Sequence, residues 1–316
     1  MSVKWAIKTI IRDLQYLCNL SLYALTQQKV SAKPQVRYSK EGALAPNHAK
    51  PICLFCSYDN ESIVRQNVYY YLKQLALAGF DVVFISSSDT ISNTDLQKLA
   101  GYCTRIISRE NKGYDFYGWK TGLEQYPQYH AHPGLLLAND SVLGPLFDFS
   151  DIITRLENCD ADIVGMTDNF RFYPHLQSYF LYCKKPVILS EEFSGFFDRV
   201  KVVGFKIAIV RKYEAGFSRL LGQRFRLAAL YSLERVLDQI QYRERPKEWI
   251  DPTFRLWGPL VTEFKFPFLK KSILTRREVS LQEIAAVLAG SSSTFDVGML
   301  ADWVAEITPE SRVGSR

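Results

Sequence analysis

The sequence predicts an α/β layered domain on a mostly parallel central sheet, and three observations predict it. Short apolar runs recur between residues 51 and 166, each too short for a helix and most followed by a polar cluster. Segments with apolar residues at helical spacing lie between them, and this alternation implies parallel strands joined by right-handed crossovers. The composition agrees. The 316 residues are 47% hydrophobic and 23% charged, with 17 glycines and 13 prolines, which excludes collagen, low-complexity disorder and a disulfide miniprotein.

The elements follow in order. Ile7, Ile11, Leu14, Cys18, Leu22 and Leu25 stand at helical spacing with Lys4, Lys8 and Arg12 among them, so residues 1–27 predict an amphipathic helix. Its charges recur too often for a membrane span, which needs about 20 mainly apolar residues, leaving a helix docked on the domain or lying in a membrane interface. Residues 30–50 read as a connector. Residues 51–55 predict a strand, 57–60 a polar turn, and 61–78 a helix that Gly79 closes. A strand at 82–85, a short helix at 95–100, a strand at 105–108 and a helix containing 119–125 come next, then strands at 135–138 and 161–166. Residues 186–196 read as a surface turn with two carboxylates, and 213–240 mostly as helix. Residues 251–271 mix prolines with aromatics, 281–288 predict a helix, and the chain then turns at 291–293 and frays. The organisation expected is 1–50 amphipathic helix and connector, 51–200 α/β domain, and 201–316 a basic, mainly helical C-terminal extension on the acceptor side.

In such a sheet, ligands bind beyond the carboxyl ends of the strands, so the polar clusters there are informative. They are Ser57, Tyr58, Asp59 and Asn60 after the first strand, residues 86–89 after the second, 109–115 after the third, and Asn139, Asp140 and Ser141 after residues 135–138. Four neighbouring ends describe one cleft. Asp140 should emerge at a strand end, where it either meets a divalent cation, Mg²⁺ or Mn²⁺, that neutralises phosphate, or caps the following turn. Asn111, Lys112, Gly113, Tyr114 and Asp115 join flexible backbone, a cation and a carboxylate at a helix start, a geometry suited to phosphates or sugar hydroxyls but without P-loop or dinucleotide spacing. His175 follows a strand that should end at the same cleft and is a second candidate metal or ligand contact. No Gly-x-Ser-x-Gly elbow supports a serine triad.

The six cysteines lie in apolar segments and read as reduced thiols of a cytoplasmic protein. Cys53 and Cys56 have metal-motif spacing, yet residues i and i+3 of a strand face opposite ways. The net charge of +6 is uneven: residues 201–277 hold 17 basic and 7 acidic side chains. Unless this is simply a solvated basic face, their partner should be anionic: a phosphorylated ligand, an acidic membrane surface or nucleic acid. No nucleic-acid motif accompanies the charge.

Residues 111–118 (Asn-Lys-Gly-Tyr-Asp-Phe-Tyr-Gly), 137–145 (Leu-Ala-Asn-Asp-Ser-Val-Leu-Gly-Pro) and 213–218 (Tyr-Glu-Ala-Gly-Phe-Ser), with Asp251-Pro252-Thr253 before Trp257 and Phe-Pro-Phe-Leu-Lys at 266–270, resemble the rhamnan synthesis protein F family. The resemblance covers approximately residues 51–274. It implies a glycosyltransferase-A-like nucleotide-sugar domain of bacterial lipopolysaccharide or capsule assembly. A nucleotide-diphosphate sugar, dTDP-rhamnose or a UDP-sugar, would be the donor, and a glycan, free or lipid-linked, the acceptor. Position by position it implies a nucleotide-contacting turn of Ser57, Tyr58 and Asp59 and a donor loop of Asn111, Gly113 and Asp115. Asn139-Asp140-Ser141 is similar to the metal-binding Asp-x-Asp of that fold without its outer acids, which leaves Asp140 to an ion or to the donor sugar. For an inverting transfer, Asp168, Glu214 and Asp251 are the candidate bases. The basic segment would hold leaving-group phosphate or lie on the inner face of the cytoplasmic membrane. The competing reading is a non-catalytic carbohydrate-binding or assembly protein on the same fold.

Overall fold

The computed structural model describes Leu14, Cys18 and residues 35–204, 206–241, 250–276 and 278–307. The amphipathic helix expected over residues 1–27 therefore lies outside the described residues apart from Leu14 and Cys18, as do the last residues of the expected frayed end. The strands are β1 (Val36–Glu41), β2 (Ile52–Ser57), β3 (Asp81–Ser86), β4 (Arg105–Arg109), β5 (Gly134–Asn139), β6 (Val142–Leu143), β7 (Ile163–Gly165), β8 (Asp168–Asn169), β9 (His175–Leu176), β10 (Phe180–Lys184), β11 (Leu227–Ala229) and β12 (Leu269–Lys270).

The main sheet runs β1-β4-β3-β2-β5-β10-β7-β11. Strands β4, β3, β2 and β5 pair in parallel, as do β7 and β11, while β10 runs antiparallel between β5 and β7 and β1 lies antiparallel on the β4 edge. The mostly parallel sheet follows from the apolar runs: every residue of β2, β3 and β5 is buried, because helices cover both faces. Cys53 packs in the core on one face with Phe55, Tyr71 and Phe84, whereas Cys56 packs in the other with Leu54, Trp119 and Ile85. The two thiols thus stand on opposite faces, and Cys53, Cys56, Cys103 and Cys183 are free and buried.

Four expectations are corrected. Residues 30–50 are no mere connector, since 36–41 form the edge strand β1. The stretch 186–196 is not a surface turn: Lys185–Ile188 and Glu191–Asp198 are helices, and the second buries Phe193, Phe196 and Phe197. Within 213–240, helix Ala215–Leu221 and helix Leu233–Gln239 are separated by β11, which joins the main sheet. Beyond the turn at 291–293 the chain forms another helix, Val297–Ile307.

A small ribbon of β6 and β12 grows from the end of β5. Around it a third apolar cluster gathers Leu143, Leu146, Ile273, Ile284, Leu300 and Trp303, tying the C-terminal helices to the segment that follows Asp140. Among the described residues no helix is long and apolar enough to cross a membrane.

Candidate active site at the carboxyl edge of the sheet

The parallel register of β2 and β5 sets Cys56 opposite Asn139, so the residues after both strands emerge side by side. The Asp140 amide donates to the Cys56 carbonyl at 3.1 Å, which fixes the turn. Asp140 Oδ2 then accepts from Ser57 Oγ at 3.0 Å and from the Tyr58 amide at 3.4 Å. The same oxygen lies 3.8 Å from Lys271 Nζ, and both side chains are 18% exposed. Asn139 faces the other way along the edge. Its Oδ1 accepts from the Ser141 amide at 3.0 Å and hydroxyl at 2.6 Å, and its Nδ2 donates to Asp115 Oδ2 at 2.9 Å. The Asn-Asp-Ser triplet thereby links two of the polar loops.

Asp115 is delivered by helix Tyr114–Gln125, which starts at Gly113 with φ 78°, a left-handed conformation that favours glycine. A Cβ at Gly113 would stand 2.7 Å from Tyr117 Cβ, and one at Gly118 would stand 2.6 Å from Cys56 Sγ. Both glycines are therefore needed for the helix to start where it does and lie close on β2. Beneath the loop, Arg109 is buried, donating to Ser87 Oγ at 2.7 Å and to the Lys112 carbonyl. Burial, and next the Asp140 charge, push the Asp115 carboxyl up to about 7, against the opposing pull of Lys206 and Arg109. A carboxyl so placed is neutral or charged according to small changes near neutrality.

The remaining candidates occupy distinct positions. Glu214 ends a π-helical turn, Val210–Glu214, and its Oε1 accepts from the Ser178 amide at 2.6 Å and hydroxyl at 2.9 Å. Its charge is among those that raise the Asp115 pKa. Asp251 caps helix Pro252–Arg255, accepting from Thr253 Oγ1 at 2.7 Å and Gln177 Nε2 at 3.3 Å, with Lys270 Nζ at 2.9 Å. Burial raises its pKa, but Lys270 and these hydrogen bonds together hold the carboxyl below the ordinary range. Asp168 is set apart at the β8–β9 hairpin, where Oδ1 accepts from the Leu233 amide at 2.7 Å and burial raises its pKa. His175 is buried opposite Asn169, its Nδ1 2.6 Å from the Tyr173 carbonyl. Neither touches Asp140.

Asp59 serves the turn itself: it accepts from the Glu61 amide at 2.8 Å and pairs with Arg65 at 2.6 Å. Tyr58 is 50% exposed after β2, and Asn111 is exposed on the loop after β4. Residues that sequence reasoning missed include Ser178, Gln177 and Lys271. Lys271 stands one position past the quoted Phe-Pro-Phe-Leu-Lys run, and no local signal joins it to Asp140. The pairing of β12 with β6 does so, reinforced by the Lys271 amide donating to the Ser141 carbonyl at 3.0 Å.

Fold and site together define an α/β protein with a hydrogen-bonded polar cluster at the carboxyl ends of its parallel strands β2 and β5. The sequence profile of the rhamnan synthesis protein F family matches residues 82–308, and the chain belongs to that family. It is 31% identical over 180 residues to the uncharacterized protein y4gN of Sinorhizobium fredii (strain NBRC 101917 / NGR234), a match covering 54% of this chain and 46% of that one. The chain thus spans about half the length of that relative. It is also 22% identical over 303 residues to virulence protein VirA of Vibrio anguillarum (strain ATCC 68554 / 775), covering 86% of this chain and 92% of that protein. Among solved structures it is similar to the glycosyltransferase GlyE of Streptococcus pneumoniae TIGR4, with 13% identity, TM-score 0.40, and 82% of this chain and 64% of that chain covered.

Proposed function

We propose that the chain transfers a sugar from a nucleoside-diphosphate donor to a hydroxyl of a glycan acceptor, with rhamnose the sugar that the family's name suggests. The observation that carries this reading is the hydrogen-bonded junction of Ser57, Asp140, Asn139 and Asp115 at the ends of β2 and β5. It brings the polar turn after β2, the start of helix Tyr114–Gln125 and the triplet after β5 together, which supports reading them as one donor site.

In this reading Tyr58 stacks on the base, Gly113 and the first turn of helix Tyr114–Gln125 approach the donor, and the Asp115 carboxyl hydrogen-bonds the sugar. A carboxyl that is largely protonated below pH 7 adds little negative charge beside a diphosphate. Glu214 is the base: Ser178 holds one of its oxygens, and the other makes no hydrogen bond among the described residues. The acceptor oxygen bonds to the anomeric carbon, its proton goes to Glu214, and the bond from that carbon to the diphosphate breaks with the electron pair leaving on the diphosphate oxygen. Asp251 is neutralised by Lys270 and Asp168 is engaged with the Leu233 amide, so neither competes for this role. The basic stretch 201–277 would face an anionic membrane that carries a lipid-linked acceptor.

A screen of purified nucleotide sugars, with release of nucleoside diphosphate as readout, tests the reading. One donor should turn over, and Glu214→Gln should lower kcat by about 10²–10⁴-fold while leaving donor affinity in place. Donor binding without turnover of any acceptor would instead favour a carbohydrate-binding or assembly protein.

A further inference from the structure

Resting on the transfer proposed above, we infer that Lys271 is the group that neutralises the departing diphosphate, in the place where the fold's Asp-x-Asp would hold a divalent cation. The inference starts from Asp140 Oδ2. That oxygen already accepts from the Ser57 hydroxyl and the Tyr58 amide, and it has an ammonium 3.8 Å away. A divalent cation on Asp140 would have to enter beside that positive charge, with one carboxylate oxygen already held by two protein donors and no group of three or more His, Cys, Asp or Glu side chains to complete its shell among the described residues, so these residues do not suit it.

Lys271 is fixed from two sides. Its backbone continues the β6–β12 ribbon and donates to the Ser141 carbonyl at 3.0 Å, and its Nζ lies over the Trp303 ring, 5.5 Å from the centroid. Trp303 belongs to the third apolar cluster, so the C-terminal helical layer aims this side chain at the end of β5. Among the described residues Nζ makes no hydrogen bond, since 3.8 Å to Asp140 is beyond hydrogen-bond reach. The neighbouring Lys270 differs, with its ammonium hydrogen-bonded to Asp251 at 2.9 Å.

A partly buried ammonium, ion-paired at 3.8 Å and without a hydrogen bond among the described residues, has N–H donors to offer the oxygens of an anionic ligand. Diphosphate oxygens accept them where the leaving group must stand, beside Asp140 and across from Asp115. As the bond from the anomeric carbon to the diphosphate breaks, the charge that develops on the departing oxygen meets a preorganised cation, and Asp140 acts as the residue that positions Lys271.

Titration calorimetry of UDP and dTDP into the full chain, in EDTA and in excess Mg²⁺, tests this. Wild type should bind one of them in EDTA, with affinity within about threefold of that in Mg²⁺. Lys271→Ala and Lys271→Gln should each lose roughly tenfold or more, and Lys271→Arg should stay within a few-fold of wild type. Thermal melts identify the variants that remain folded, and Gln serves if Ala does not. Wild-type binding that appears only with Mg²⁺, or an unchanged affinity in both neutral variants, would overturn the assignment of Lys271 while leaving sugar transfer standing. A wild type that binds neither nucleotide in either buffer would overturn the transfer reading itself, and the assignment with it.

Discussion

Asp115 is the residue on which the electrostatics of the cleft turn. Its carboxyl is pushed from an ordinary 3.8 to about 7, first by burial and then by Asp140. Between those pH values the folded chain keeps a proton that the unfolded chain releases, so this group makes stability fall as pH rises from about 4 to 7 and leaves it level above. Asp115→Asn removes that dependence. In urea titrations the variant should be more stable than wild type at pH 8, by roughly 2–4 kcal/mol, and the gap should close towards pH 4. An equal gap at both pH values would contradict the account. One position before the helix, Gly113→Ala places a methyl 2.7 Å from Tyr117 Cβ at φ 78°. A loss of about 1–3 kcal/mol in the same titration is expected, with weaker donor binding because Asp115 moves with the loop.

At the scale of elements, what the sequence made legible depended on how locally each signal was encoded. β2, β3 and β5 are unbroken apolar runs because both their faces are covered, and the polar triplet after β5 follows from where that run stops. β1 was illegible because an edge strand mixes Arg37, Lys40 and Glu41 into its run and takes its identity from the pairing with β4. β11 has only three residues, so its neighbour β7 decides it. Helix Glu191–Asp198 was hidden for another reason. Ser190, Glu191, Glu192 and Ser194 read as a turn, yet Ser190 Oγ caps the helix by accepting from the Phe193 amide at 3.2 Å, and Phe193, Phe196 and Phe197 share the buried face. Phe193→Ala should therefore cost about 3–5 kcal/mol of unfolding free energy, where a surface turn would lose less than about 0.5. Lys271 escaped sequence reading because a two-residue ribbon, β6 with β12, brings it to Asp140.

For the whole molecule, charge and topology point the same way. The basic stretch 201–277 contributes the Lys206 charge that acts on Asp115, together with Lys270 and Lys271 at the cleft, so part of its excess is spent on the site. The remainder of the excess motivates the proposed attraction to an anionic membrane. Sedimentation with vesicles should show binding to phosphatidylglycerol and little to phosphatidylcholine, with the bound fraction falling as salt rises from about 50 to 500 mM. Binding that ignores both lipid charge and salt would remove that part of the account. The central claim is that the loops after β2, β4 and β5 form one donor cleft, and a crystal structure of the chain soaked with UDP or dTDP tests it most directly. The account predicts the base against Tyr58 and the diphosphate between Asp115 and Lys271, with phosphate oxygens about 2.7–3.2 Å from Nζ. A nucleotide bound on another face of the molecule, with Asp115, Asp140 and Lys271 untouched, would contradict it.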